Sequence, residues 1–138
     1  MANLAQFIAT PRSAAATIST ANTARDGSGT MAIVFTAGAL GARLERVVVS
    51  ATGTTAAGIV ALFIGNDNSA NTTANTNLYA EVAVTAATPS ETVAAFTGSV
   101  SESNDSEKWP LILGPGQTLR ASTTVAQSFR VVAVGGDY

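Results

Sequence analysis

Short runs of apolar residues that alternate with Thr, Ser, Ala and Arg, each closed by Gly, Asn or Pro, follow one another along almost the whole chain. Period-two alternation places successive side chains on opposite faces of an extended strand, and turn residues at intervals of roughly 8–12 positions mark strand ends. No long stretch carries the 3.6-residue period of an amphipathic helix. Positions 78–85 alternate most cleanly, with Leu78, Ala80, Val82 and Val84 predicted inward and Tyr79, Glu81 and Thr85 outward. Positions 43–51 break the period, because Leu44 falls on the face opposite Val47, Val49 and Ala51. A β-bulge at Glu45-Arg46 would bring all four inward. In 58–65, Ile59, Val60, Leu62, Phe63 and Ile64 are apolar on both faces, which predicts a central strand or one covered by a neighbouring subunit.

The glycines of Arg25-Asp26-Gly27-Ser28-Gly29 predict a hairpin turn between strands at 16–24 and 30–36, with Met31, Ile33 and Phe35 sharing one face. A further strand is expected at 92–97, with Val93 and Phe96 as its larger apolar residues. Apolar character resumes at 109–113, and after Gly114-Pro115-Gly116 a final hairpin pairs 118–125 with 128–134. Two polar excursions, Asn-rich at 66–77 and acidic at 98–108, are expected to be exposed, the first without an apolar anchor and mobile. Residues 1–16 read as an extended N-terminal arm, with an apolar stub containing Leu4, Phe7 and Ile8 followed by Thr10-Pro11-Arg12, where proline disfavours helix. Residues 17–138 then form one domain. The prediction is an all-β, single-domain antiparallel β-sandwich, jelly-roll-like, with eight to nine strands and no internal repeat.

Composition sharpens this picture. A chain of 138 residues can bury roughly 68–70% of its unfolded surface without disulfide or zinc staples. Hydrophobic residues make up 46% but aromatic ones only 6%, and much of the remainder is alanine, so a thin core is expected, one that partners complete. Seven basic and nine acidic residues give a net charge of −2. That field is too weak to favour direct nucleic-acid binding or an anionic membrane surface. No segment approaches the roughly 18 consecutive apolar residues of a membrane helix, and the N-terminus lacks the basic region of a secretory signal, so synthesis in the cytosol is expected.

With no histidine and no cysteine, imidazole bases and thiol nucleophiles are excluded, and the acids fall mostly in turns, so no enzyme and no cofactor is expected. Counted from Asp67, position twelve is Leu78, so the Asn/Asp-rich stretch fails the EF-hand pattern and reads as a turn. Gly27-Ser28-Gly29 lacks the lysine of a phosphate loop. Trp109, beside an acidic loop, is either a sugar-stacking ring, with Tyr79 as a second glycan contact, or the plug at one end of the sandwich. Arg12 in the arm joins Arg43, Arg46, Arg120 and Arg130 as candidate protein-contact residues, with Leu4, Phe7 and Ile8. For the strand arginines, carboxylates across a subunit contact and local pairing with Glu45 or Glu81 are both open. Outward positions filled by Thr, Ala, Val and Ser suit contact with neighbouring protein.

The stretch Thr20-Ala21-Asn22-Thr23-Ala24-Arg25-Asp26-Gly27-Ser28-Gly29-Thr30, with Val34-Phe35-Thr36-Ala37-Gly38 and Ala51-Thr52-Gly53-Thr54, resembles small β-rich virion proteins of tailed bacteriophages and prophages. So does the ending, from Leu113-Gly114-Pro115-Gly116-Gln117-Thr118-Leu119-Arg120 through Gly135-Gly136-Asp137. Capsid decoration, or cement, proteins are the nearest functional analogy within that group. The resemblance implies a noncatalytic homo-oligomer, a trimer, on the outer surface of the capsid. There it would bridge major capsid proteins and stabilise the expanded head, with the arm crossing to an adjacent subunit. It would be made in the cytoplasm of a bacterial host. A head-fibre, neck or tail component, and from another class a carbohydrate-binding module, are the alternative expectations.

Overall fold

A computed structural model describes residues 7–138; the candidate contact Leu4 lies outside them. Nine strands follow in chain order: β1 (Thr10–Ile18), β2 (Ala32–Thr36), β3 (Ala42–Ala51), β4 (Gly58–Gly65), β5 (Thr76–Val84), β6 (Thr97–Ser101), β7 (Leu111–Leu113), β8 (Thr118–Thr123) and β9 (Phe129–Asp137). No helix is present among the described residues. The strands form two antiparallel sheets. Sheet A runs β1-β9-β3-β6, with β7 pairing the Ala42–Leu44 end of β3 beside β6. Sheet B runs β2-β8-β4-β5. Their inner faces enclose one apolar core in a sandwich-like arrangement. Ile18, Leu44, Val47, Val49, Phe129, Val131 and Leu113 come from one sheet, and Phe35, Val60, Leu62, Val82 and Leu119 from the other.

The predicted bulge in the third strand is present. β3 pairs β9 with a register shift between Leu44 and Arg46, and Leu44, Val47, Val49 and Ala51 are all buried. β4 is central, flanked by β8 and β5, as its two apolar faces require.

Other expectations are corrected. The Gly27-Gly29 segment is not a hairpin turn, because β1 pairs β9 in sheet A while β2 pairs β8 in sheet B. Nor do β8 and β9 form a hairpin; the chain between them passes from sheet B to sheet A. Of the segment expected as an arm, residues from Thr10 onward are a sheet strand, bonded along its length to β9. A bulge at Val34 turns both Val34 and Phe35 inward and leaves Ile33 39% exposed, so Met31, Ile33 and Phe35 do not share a face. A second bulge, with Tyr79 as the extra residue opposite Leu62/Phe63, rotates Leu78 outward while Ala80, Val82 and Val84 stay inside. The strand expected at 92–97 begins instead at Thr97, and Val93 lies exposed in the turn before it.

Candidate interaction surface

The two sheets differ in how their outer faces are treated. On sheet B, Phe63 and Arg120 sit opposite one another on β4 and β8, on the face away from the core, yet both are about 1% exposed or less. Two polar segments close over them. The first, between β1 and β2, is shaped by Asn22, whose side-chain amide donates to the Ser28 and Thr30 carbonyls and whose oxygen accepts from Ala24 N–H. It reaches β5 through the Arg25–Glu81 ion pair at 2.6 Å. Gly27 has φ +91°, and a Cβ there would lie 1.9 Å from the Thr76 carbonyl oxygen, so no larger residue permits this close approach.

The second is the Asn-rich loop between β4 and β5. It has no apolar anchor, as expected, but it is tethered by a polar one. The Arg120 guanidinium donates to Thr118 Oγ1 at 2.9 Å, to the Asp67 carbonyl at 2.6 Å and to Asn71 Oδ1. Asn71 in turn donates to the Gly29 carbonyl, joining the two covering segments. Burial lowers the Arg120 pKa, with the nearby Asp67 carboxylate opposing that shift. Arg120 is therefore an internal brace and not a contact for a partner.

Arg12 is also turned inward. Its guanidinium bonds Asp137 and lies 3.9 Å over the Phe35 ring, joining the edge of sheet A to sheet B. Trp109 is 1% exposed and packs edge-to-face with Tyr79, the ring centroids 6.0 Å apart and the planes at 76°. The Tyr79 hydroxyl donates to the Lys108 carbonyl, and burial followed by the Asp105 charge raises its pKa. Trp109 thus plugs the sandwich end with its ring faces covered, while Tyr79 beside it is half-buried.

Sheet A presents the opposite case. Its outer face carries Pro11, Ser13, Ala15 and Thr17 from β1, Arg130, Val132 and Val134 from β9, Arg43, Arg46, Val48 and Ser50 from β3, and Ile112 from β7. The pairing registers align these in rows such as Ala15, Val132 and Val48. Among the described residues only Phe7 and Ile8 cross it, at one corner. There Ile8 packs over Gly136, where a Cβ would come within 2.4 Å of its side chain, and a shallow groove forms with Arg43 and Glu45. Phe7 is 80% and Ile112 54% exposed. Arg43 bonds Glu45 at 2.6 Å, which raises the arginine's pKa, and so pairs locally.

Five of the candidate contacts, Phe7, Ile8, Arg43, Arg46 and Arg130, thus gather on one bare sheet face, while Arg12 and Arg120 do not. Val48, Val132, Val134 and Ile112 were not singled out from the sequence. Their signal was present, since each is an aliphatic residue at a position that alternation assigns to the outside. Among the described residues no group of three or more His, Cys, Asp or Glu side chains is placed to hold a metal ion. Comparison with protein-family models, curated proteins and solved structures finds no match for this chain.

Proposed function

We propose that this chain is a noncatalytic virion structural protein, a capsid decoration or cement protein that oligomerises, as a trimer, and bridges major capsid proteins on the expanded head. The observation that carries the reading is the contrast between the two outer faces. The chain spends two loops and a buried arginine on covering the β4–β8 centre of one sheet, leaving only Ile33 and Leu78 partly exposed there, and leaves the other uncovered among the described residues, a surface of Val, Ala, Ser and Thr with a few arginines. Such a surface is suited to close contact with another protein. The sequence resemblance supplies the phage context.

The fold reading that goes with it is a jelly roll. In support, the order β1-β9-β3-β6 facing β2-β8-β4-β5 has the chain passing between sheets at β1–β2, β2–β3, β3–β4, β5–β6, β7–β8 and β8–β9, with β7 as an addition.

Scale supports an assembled state. Four strands at about 4.8 Å spacing and nine residues in length give a face of roughly 500 Å². A standard interface buries roughly 800 Å² per partner, so one copy on one shell subunit would bind weakly, and several linked copies would bind together far more tightly. Selective binding to the expanded state stabilises that state by mass action. The test is sedimentation of the purified protein alone and with phage heads lacking it. A stable oligomer that cosediments saturably with expanded heads but not with precursor heads is expected. A monomer that ignores both overturns the reading in favour of a neck, fibre or tail role.

A further inference from the structure

The bare face of sheet A is also where the chain's unneutralised positive charge collects. Arg12 is paired with Asp137, Arg25 with Glu81 and Arg43 with Glu45, and Lys108 lies near Asp105. Arg120 is buried among neutral acceptors. Among the described residues this leaves Arg46 and Arg130 exposed with no carboxylate partner, Arg130 making one hydrogen bond to the Thr17 hydroxyl. Both are on sheet A's outer face. That face holds three of the seven basic side chains, Arg43, Arg46 and Arg130, with Glu45 upon it and Glu102 at its rim, near enough to act on Arg43, a balance of +1, while the other four basic and seven acidic side chains balance to −3.

We propose that this face docks on a protein surface that carries carboxylates, with Arg46 and Arg130 as the cations the partner pairs; this rests on the reading of the face as the contact with the shell. Arg46 stands opposite Val134 and Arg130 opposite Ser50, which separates them by four residues, roughly 13 Å, along adjoining strands. Val48 and Val132 lie opposite each other between them. An aliphatic centre flanked by arginines matches the anatomy of a protein interface, in which water-excluded apolar contact adjoins bidentate guanidinium–carboxylate pairs.

The same charges argue against other occupants. Two copies packed through this face would set net positive charge against net positive charge, with no carboxylate placed to pair Arg46 or Arg130. Nucleic acid is a poor match, because two or three phosphate contacts supply little affinity at physiological salt.

The experiment measures saturation binding of the wild type, Arg46→Glu/Arg130→Glu and Arg46→Lys/Arg130→Lys to expanded phage heads lacking the protein, at low and high NaCl. Glu91→Lys, a charge change in the exposed turn between β5 and β6, is the control. Thermal melting of each variant establishes that it is folded. Wild-type binding that weakens with salt, a loss of roughly tenfold or more in the glutamate variant, and retention of most binding in the lysine variant are expected. A folded glutamate variant that binds heads like the wild type overturns this inference and leaves the decoration reading intact. Failure of the wild type to bind heads removes both. Binding to duplex DNA or to anionic lipid vesicles that the glutamate substitutions abolish would assign the arginines to phosphate and also overturn it.

Discussion

The Arg12 guanidinium grips the Asp137 carboxylate with two hydrogen bonds, at 2.7 and 3.1 Å, while stacking 3.9 Å above the Phe35 ring of the opposite sheet. The same carboxylate accepts from Gly38 N–H at 2.9 Å, and Arg12 also donates to the Thr36 carbonyl. One ion pair therefore ties β1, β9 and the end of β2 together. Because it is partly solvated, its removal by Arg12→Ala is expected to cost about 1–2 kcal/mol, read from urea unfolding at neutral pH. A variant as stable as the wild type would show that the clamp is ornamental.

The clamp also has a pH signature. Hydrogen bonding from Arg12 holds the Asp137 carboxyl below its ordinary value of 3.8, with burial opposing and Gly38 N–H assisting. A carboxyl whose native pKa is depressed stabilises the fold above its unfolded value, and that contribution disappears as pH falls through the native value. Asp26 and Asp67, lowered chiefly by the Ser28 and Ser69 hydroxyls, act in the same direction. Wild-type stability should thus fall below about pH 4, and Asp137→Asn should flatten part of that decline. An unchanged acid limb in Asp137→Asn would contradict the assignment.

Arg120 and Gly65 form a second unit open to test. A Cβ at Gly65 would lie 2.4 Å from Thr118 Oγ1 and 2.5 Å from Arg120 Nε, so Gly65→Ala must displace the brace and is expected to cost about 1–3 kcal/mol. Arg120→Ala strands the buried acceptors, at a cost of roughly 3 kcal/mol. Hydrogen exchange should locate the damage in the loop at 66–75, with the sheet A amides much less affected. Uniform loss of protection across both sheets would mean that the loop is not a separate cover.

The elements readable in the sequence were those whose evidence is local. Leu44 broke the alternation of its own strand and so disclosed the bulge, and the two apolar faces of β4 disclosed its central place. Which strands pair was not local. Gly27 and Gly29, with positive φ, have the turn chemistry of a hairpin, yet the same chemistry serves a segment that crosses over a sheet. β6 was displaced in the reading because Thr97-Gly98-Ser99-Val100-Ser101 offers little apolar signal, whereas Phe96 before it does. Arg120 and Arg130 look alike in sequence, each in a β-rich run. Only the fold of loop 66–75 over one of them makes Arg120 a brace and leaves Arg130 free.

Trp109 supplies a spectroscopic check as the only tryptophan of the chain. Buried at 1% exposure, it should emit at shorter wavelength than a solvated indole, resist acrylamide quenching and ignore added oligosaccharides. A solvated spectrum with saccharide-dependent quenching would revive the glycan-binding alternative.

The most direct test of the central claim, that sheet A's outer face is the contact surface and the centre of sheet B's is covered by the chain itself, uses the absence of cysteine. Single thiols placed by Ser13→Cys and Ser99→Cys on the bare face, and by Thr73→Cys on the loop covering sheet B, are labelled with a maleimide in the free protein and on expanded heads. All three should react rapidly when free, and only the first two should become protected on the heads. Protection of the Thr73→Cys thiol, with the sheet A thiols still reactive, would contradict the account.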